Sequence, residues 1–185
     1  EPISARAIAR LIQEQTDEFI TVDVHAPSVI DWFEDVSAKN AHAYPEIGKF
    51  LKKKGVQMVL SPDEGRWDNA RRIADVMGCE ADFLVKERLD GETVTMAPKS
   101  LDVKGKKVAI VDDIISTGGT IVKAAEQLRK HGAAHISAAC THGVFAKDAV
   151  TRLRACCDDI YSTDTIENPT TAVSVAPQIA RAAME

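Results

Sequence analysis

The chain has 185 residues, 45% hydrophobic and 28% charged, enough to close one good core or one core plus a partial second lobe. A formal net charge of -5 with no long basic block argues against nucleic acid as a partner and for a small molecule. No apolar run approaches the ~20 residues needed to span a bilayer, and the first residues lack the layout of a signal peptide, so no membrane association and a cytoplasmic address are expected.

In chain order, Ile3, Ala7, Ile8, Leu11 and Ile12 fall on one helical stripe, and a strand is predicted over 19–24. This helix and strand arrive with no earlier strand to pair against, and the first residue is Glu1 rather than methionine, so upstream sequence is expected to be missing. His25-Ala26-Pro27 breaks the pattern, 29–33 predicts a short helical turn, and the polar stretch 34–40 reads as a linker. A helix over 44–54 closes at Gly55, and the short apolar run 56–60 reads as a buried strand that turns out through Ser61-Pro62-Asp63-Glu64-Gly65. A helix over 69–77 ends at Gly78 and a strand follows over 81–86. Segment 88–104, with a turn signal at Asp90-Gly91 and a possible strand over 93–96, reads as a mobile or hairpin loop. Strands over 107–111, 135–140 and 160–162 then alternate with helices over 118–130, 146–156 and 173–184. Such alternation implies an α/β fold, a doubly wound parallel sheet with helices on both faces. Cys79, Cys140, Cys156 and Cys157 have no zinc-ligand spacing and read as reduced, with Cys79 and Cys140 as small core residues.

The most informative stretch is Val108-Ala109-Ile110-Val111-Asp112-Asp113-Ile114-Ile115-Ser116-Thr117-Gly118-Gly119-Thr120. A buried strand ends in two carboxylates, and a turn rich in hydroxyls and glycine opens a helix. In parallel α/β folds this edge binds ligands. The free N–H groups and positive dipole end of a helix start favour a phosphate, which Ser116, Thr117 and Thr120 can also donate to, while Gly118 and Gly119 let the main chain approach. Asp112 and Asp113 would repel a phosphate but accept well from a vicinal diol, so the combination suits a ribose 5-phosphate. The competing reading is that Asp113 merely caps a turn and the glycines pack tightly. The stretch is neither a Walker loop nor a dinucleotide fingerprint.

These residues resemble the phosphoribosyl diphosphate motif shared by phosphoribosyltransferases and ribose-phosphate diphosphokinases. Glu1-Pro2-Ile3-Ser4-Ala5, Val22-Asp23-Val24-His25-Ala26-Pro27, Ser61-Pro62-Asp63-Glu64-Gly65 and Cys140-Thr141-His142-Gly143 resemble the diphosphokinases in order and approximate spacing. Lys86-Glu87-Arg88-Leu89, with Ala97-Pro98-Lys99, looks most like their archaeal branch. The resemblance implies a cytoplasmic, homo-oligomeric transferase that moves the diphosphoryl group of ATP to the anomeric hydroxyl of ribose 5-phosphate with Mg²⁺.

By the same resemblance, Asp112, Asp113, Ser116, Thr117, Gly118, Gly119 and Thr120 bind ribose 5-phosphate, Lys86 and Arg88 are the catalytic basic pair, and His25 and Asp63 meet the metal. On their own chemistry, Lys86 and Arg88 equally fit solvated charges on an edge strand, Asp63 a turn aspartate and His25 a hydrogen-bonded turn histidine. The implied organisation is a remnant of an N-terminal phosphoribosyltransferase-like domain over 1–35, a similar C-terminal domain over 36–165, and a closing segment over 166–185. Without the family's N-terminal region, which carries much of its ATP site, the chain alone is expected to bind ribose phosphate without necessarily turning over. Two alternatives stand beside this reading: a phosphoribosyltransferase that consumes phosphoribosyl diphosphate, and a non-catalytic ribose-phosphate-binding regulatory module.

Overall fold

The computed structural model describes the backbone of residues 2–88, 94–98 and 102–185, and the side chains of 4–85, 98 and 102–185. In chain order it contains α1 (Pro2–Gln13), β1 (Glu18–Val22), β2 (Ser37–Ala41), α2 (Tyr44–Lys53), β3 (Met58–Ser61), α3 (Trp67–Met77), β4 (Glu80–Arg88) and β5 (Val94–Pro98). It continues with β6 (Lys107–Ile115), α4 (Gly119–Lys130), β7 (His135–Gly143), α5 (Ala149–Arg154), β8 (Asp159–Thr163), β9 (Thr171–Val173) and α6 (Ala176–Met184). Two 3-10 turns, Pro27–Trp32 and Glu64–Arg66, complete it. The turn read at Asp90-Gly91 lies outside the described residues.

Two compact units divide the chain, one comprising Glu1–Ala43 with Val175–Glu185 and the other Tyr44–Ser174. In the first, β1 and β2 pair in parallel, Glu18 opposite Ser37 and Val22 opposite Ala41. Strand β2 corrects the linker expected at 34–40. Its sequence, Ser-Ala-Lys-Asn-Ala, carries no bulky apolar residue, so only its ladder with β1 reveals it. Lys39 ties three elements of this unit together, reaching Glu18 at 2.6 Å and the Ala182 carbonyl of α6 at 2.8 Å. Phe19 and Phe33 stack with ring centroids 4.2 Å apart. Helix α1 packs on the first 3-10 turn with Ala9 buried, whereas Ile8 and Leu11 of the expected stripe are 56% and 65% exposed.

The second unit holds a seven-stranded sheet in the order β5-β4-β3-β6-β7-β8-β9, parallel except for the antiparallel β4–β5 pair. Strand side chains alternate between faces. Met58, Leu60, Val108, Ile110, Ile136 and Ala138 form one buried cluster with Ile121, Leu128 and Leu153 of α4 and α5. The intervening Val59, Ala109 and Val111 are equally buried, and α3, which buries Ile73 and Ala74, packs on β3, β4 and β6. Helices therefore cover both faces, the doubly wound arrangement read from the sequence. Cys140 is buried at 1% exposure, while Cys79 is only half-buried.

Of the element boundaries that differ from expectation, three have a clear local reason. Strand β6 runs four residues past Val111 because its ladder with β7 continues through Asp112, Ile114 and Ile115. Helix α5 starts at Ala149 rather than 146 because Phe145, Lys147 and Asp148 have φ of 45°, 53° and 56°. Left-handed residues cannot continue a right-handed helix. Residues 171–173 form β9 instead of opening the last helix, since their backbone pairs with β8.

Candidate functional site

The strand order reverses at β3: β4 and β5 extend the sheet on one side, and β6 returns to the other. In open α/β sheets the crevice beyond the strand C-termini at such a reversal is where ligands bind. The Ser-Pro-Asp-Glu-Gly turn leaves β3 there and the acidic loop ends β6, so two separate signals of the sequence meet at one edge.

Asp112 and Asp113 are consecutive near the end of β6, and their carboxyls lie within hydrogen-bonding reach of one another. Asp112 is half-buried, whereas Asp113 is turned inward at 4% exposure. The Asp113 carboxylate accepts from the Ile114 N–H at 2.8 Å and pairs with the Arg66 guanidinium at 3.1 Å. Asp112 accepts from the Asp113 N–H at 2.9 Å. Burial first, and then the neighbouring Asp113 carboxylate, push the Asp112 carboxyl up to about 7, with Arg66 pulling the other way. The acids thus differ: Asp113 sits in an ion pair in the wall, and Asp112 stands at the edge.

Beyond them the chain turns through Ser116 and Thr117, both exposed, into α4. Gly118 stands at the N-cap with φ 71°, a left-handed conformation that favours glycine. A Cβ there would also come within 3.3 Å of Leu153. No side chain caps α4 among the described residues, so its first N–H groups keep their hydrogen-bonding capacity and its positive dipole end opens beside Thr120. Arg152 of α5 donates to the Thr117 carbonyl and, at 3.2 Å, to the Lys147 carbonyl, bracing the loop from behind. Gly143, at the end of the neighbouring β7, leaves no room for a side chain: a Cβ would lie 2.9 Å from both Asn168 and Ser162.

Asp63 is exposed and caps the second 3-10 turn, its Oδ1 accepting from the Arg66 N–H at 3.2 Å. His25 lies exposed in the other unit. Among the described residues no group of three or more His, Cys, Asp or Glu is placed to hold a metal ion. Positions 86 and 88 fall in β4, where the backbone pairs with β5, and the side chains of Lys86 and Arg88 lie outside the described residues. The site therefore brings together Asp112, Asp113 and the 116–120 loop.

Two participants, Arg66 and Arg152, escaped the sequence reading. The signal for Arg66 was its place directly after a strand-end Asp-Glu-Gly turn, which presents the next side chain at the ligand edge. Arg152 carried none, because its contact depends on how α5 packs.

The phosphoribosyl transferase domain family matches residues 38–179. A ribose-phosphate pyrophosphokinase of Methanopyrus kandleri is 47% identical over 98% of the chain and 64% of that relative; one of Pyrococcus furiosus is 42% identical over 97% and 64%. The chain thus spans just under two thirds of the curated relatives it matches. A crystal structure of phosphoribosylpyrophosphate synthetase from Mycobacterium smegmatis superposes with TM-score 0.80 at 31% identity, covering 98% of this chain and 63% of that one. APRTase from Giardia lamblia, 16% identical with TM-score 0.56 over 75% of this chain and 80% of its own, shares the fold. No helix among the described residues is long and apolar enough to cross a membrane.

Proposed function

The chain belongs to the phosphoribosyl transferase domain family, and from that premise we propose that it works as a ribose-phosphate pyrophosphokinase, or as the larger part of one. The observation that carries this reading is a half-buried carboxylate, Asp112, beside an uncapped helix start with three hydroxyls, at the reversal point of the sheet. A sugar phosphate needs both halves of that arrangement, since its phosphate seeks N–H and hydroxyl donors while its hydroxyls seek a carboxylate.

In this reading the loop 116–120 takes the 5-phosphate, and Asp112, with the adjoining Asp113, accepts from the ribose hydroxyls. The anomeric hydroxyl oxygen attacks the β-phosphorus of ATP. The bond between the α-phosphate oxygen and that phosphorus breaks, AMP leaves, and the hydroxyl proton is released. Lys86 and Arg88 are assigned to the charge that spreads over the migrating diphosphoryl oxygens.

Mg²⁺ commonly binds through one or two carboxylates plus substrate phosphates and keeps several waters. One exposed carboxylate at Asp63 fits an ion brought in on the nucleotide better than a protein-built cage. We assign Asp63 to that ion, and His25 separately as a metal contact of its own unit, direct or through waters. When bound, the ion neutralises phosphate charge. A cytoplasmic address and self-association are part of the same reading.

The intact protein is expected to form phosphoribosyl diphosphate and AMP in equal amounts from ATP and ribose 5-phosphate with Mg²⁺, followed by phosphorus NMR. Pyrophosphate release that depends instead on an added nucleobase would assign it to the phosphoribosyltransferases that consume that product.

A further inference from the structure

At the opposite end of the seven-stranded sheet from the sugar-phosphate edge, we propose that Cys156 and Cys157 form a dithiol site that captures a trivalent arsenic centre across both sulfurs. The fold sets the place. Parallel β–α units put helix C-termini beside strand N-termini, and the ends of α4 and α5 meet just before β8 begins at Asp159. There an open cavity of about 670 Å³, within the size range of small-molecule sites, is lined in part by Cys156 and Cys157. Cys156 is half-buried and Cys157 is 6% exposed, with their Sγ atoms 3.9 Å apart. The Cys156 thiol donates to the Leu153 carbonyl at 3.4 Å, which holds it at the end of α5.

Three chemistries compete for such a pair, and the geometry separates them. A disulfide is disfavoured, because adjacent Cα atoms stand about 3.8 Å apart across a trans peptide. That is short of the ~4.4 Å lower limit usual for disulfides, and the strain makes such a bond easily reduced. A divalent cation is disfavoured as well. Burial pushes both thiols up, so two protons would have to leave before thiolates could ligate. Arg129, Lys130 and Arg154 outnumber Glu126 and Asp158 around the cavity. Among the described residues no third His, Cys, Asp or Glu is placed to complete a cation site.

Trivalent arsenic asks for less, since it takes two sulfurs from the protein and brings its third substituent with it. With an organic arsenic(III) oxide, two As–S bonds replace the two bonds to oxygen, and both S–H protons leave with that oxygen as water. Arsenic stays trivalent, so no oxidant or reductant is consumed, and no net charge is created in the cavity. The separation suits a bridge: two bonds of about 2.3 Å at a tetrahedral angle span roughly 3.8 Å.

Phenylarsine oxide and the folded, reduced protein test this by native mass spectrometry. One phenylarsenic group per chain is expected, added with loss of one water. Cys156→Ser and Cys157→Ala should each weaken capture about a hundredfold, the loss of a chelating partner, while Cys79→Ser leaves it unchanged. Capture undiminished in Cys156→Ser overturns the proposal, as does an adduct that forms only after denaturation. Zn²⁺ binding at the pair as tightly as the arsenical, with two protons released per ion, overturns it too. Should Cys157→Ala not fold, Cys156→Ser decides alone, because that side chain is only half-buried.

Discussion

Asp112→Asn is expected to weaken ribose 5-phosphate binding about a hundredfold while raising the thermal midpoint of the protein at pH 8. A carboxylate accepting from two hydroxyls makes two charge-assisted hydrogen bonds, and reducing both to neutral ones loses on the order of 3 kcal/mol, about a hundredfold in affinity. The gain in stability follows from linkage. In the folded chain the Asp112 carboxyl is pushed up to about 7 by burial and by Asp113, against about 4 in an unfolded chain. The folded protein holds that proton more tightly, so stability is greatest below the unfolded value and falls as pH rises toward 7. Asparagine removes a charge that folding disfavours, so its benefit should be largest above pH 7 and fade near pH 4. Thermal scans at pH 4.5 and pH 8 check the sign. A lower midpoint for Asp112→Asn at pH 8 would mean that Asp112 is an ordinary structural carboxylate.

Lys86→Ala and Arg88→Ala are each expected to depress turnover about a thousandfold, within the range a single cation contributes to phosphoryl transfer. Binding of ribose 5-phosphate should stay within a few-fold of wild type, roughly 1 kcal/mol. The positions are two apart in β4, and alternate residues of a strand share a face, so two cations can address one anionic group. From Leu84 onward that strand pairs with β5, the last strand of the sheet on that side, which carries the segment to the sheet's edge. If the two residues instead served as solvated edge charges, both variants would turn over at wild-type rates with altered solubility. Single-turnover measurements with saturating substrates distinguish the outcomes, because they exclude effects on binding and product release.

The fold was legible where burial writes itself into composition. The apolar runs that became β3, β6 and β7, and the stop at Gly78, could be read because a central strand must be apolar on both faces and a helix end favours a left-handed glycine. The polar strand β2 could not, because a short strand of small residues has no periodicity to show. The delayed start of α5 was equally silent, since nothing about Phe145 or Lys147 announces a left-handed backbone. In the site, the loop from Asp112 to Thr120 was visible as one contiguous signal. What adjacency in sequence concealed was the unequal burial of its two acids: Asp113 is buried and paired with Arg66, whereas Asp112 is half-buried. Arg66 reaches Asp113 only because β6 pairs with β3 rather than with β5, which precedes it in the chain.

Calorimetric titration of the protein with ribose 5-phosphate, 2-deoxyribose 5-phosphate and inorganic phosphate tests the central claim most directly, because the three ligands remove one half of the site at a time. Ribose 5-phosphate should bind about tenfold or more tightly than the deoxy sugar, the loss of one hydrogen bond to a carboxylate, and phosphate alone should bind weakest. Equal affinity for the two sugars, unaltered in Asp112→Asn, would contradict the assignment of Asp112 as the acceptor of the ribose hydroxyls.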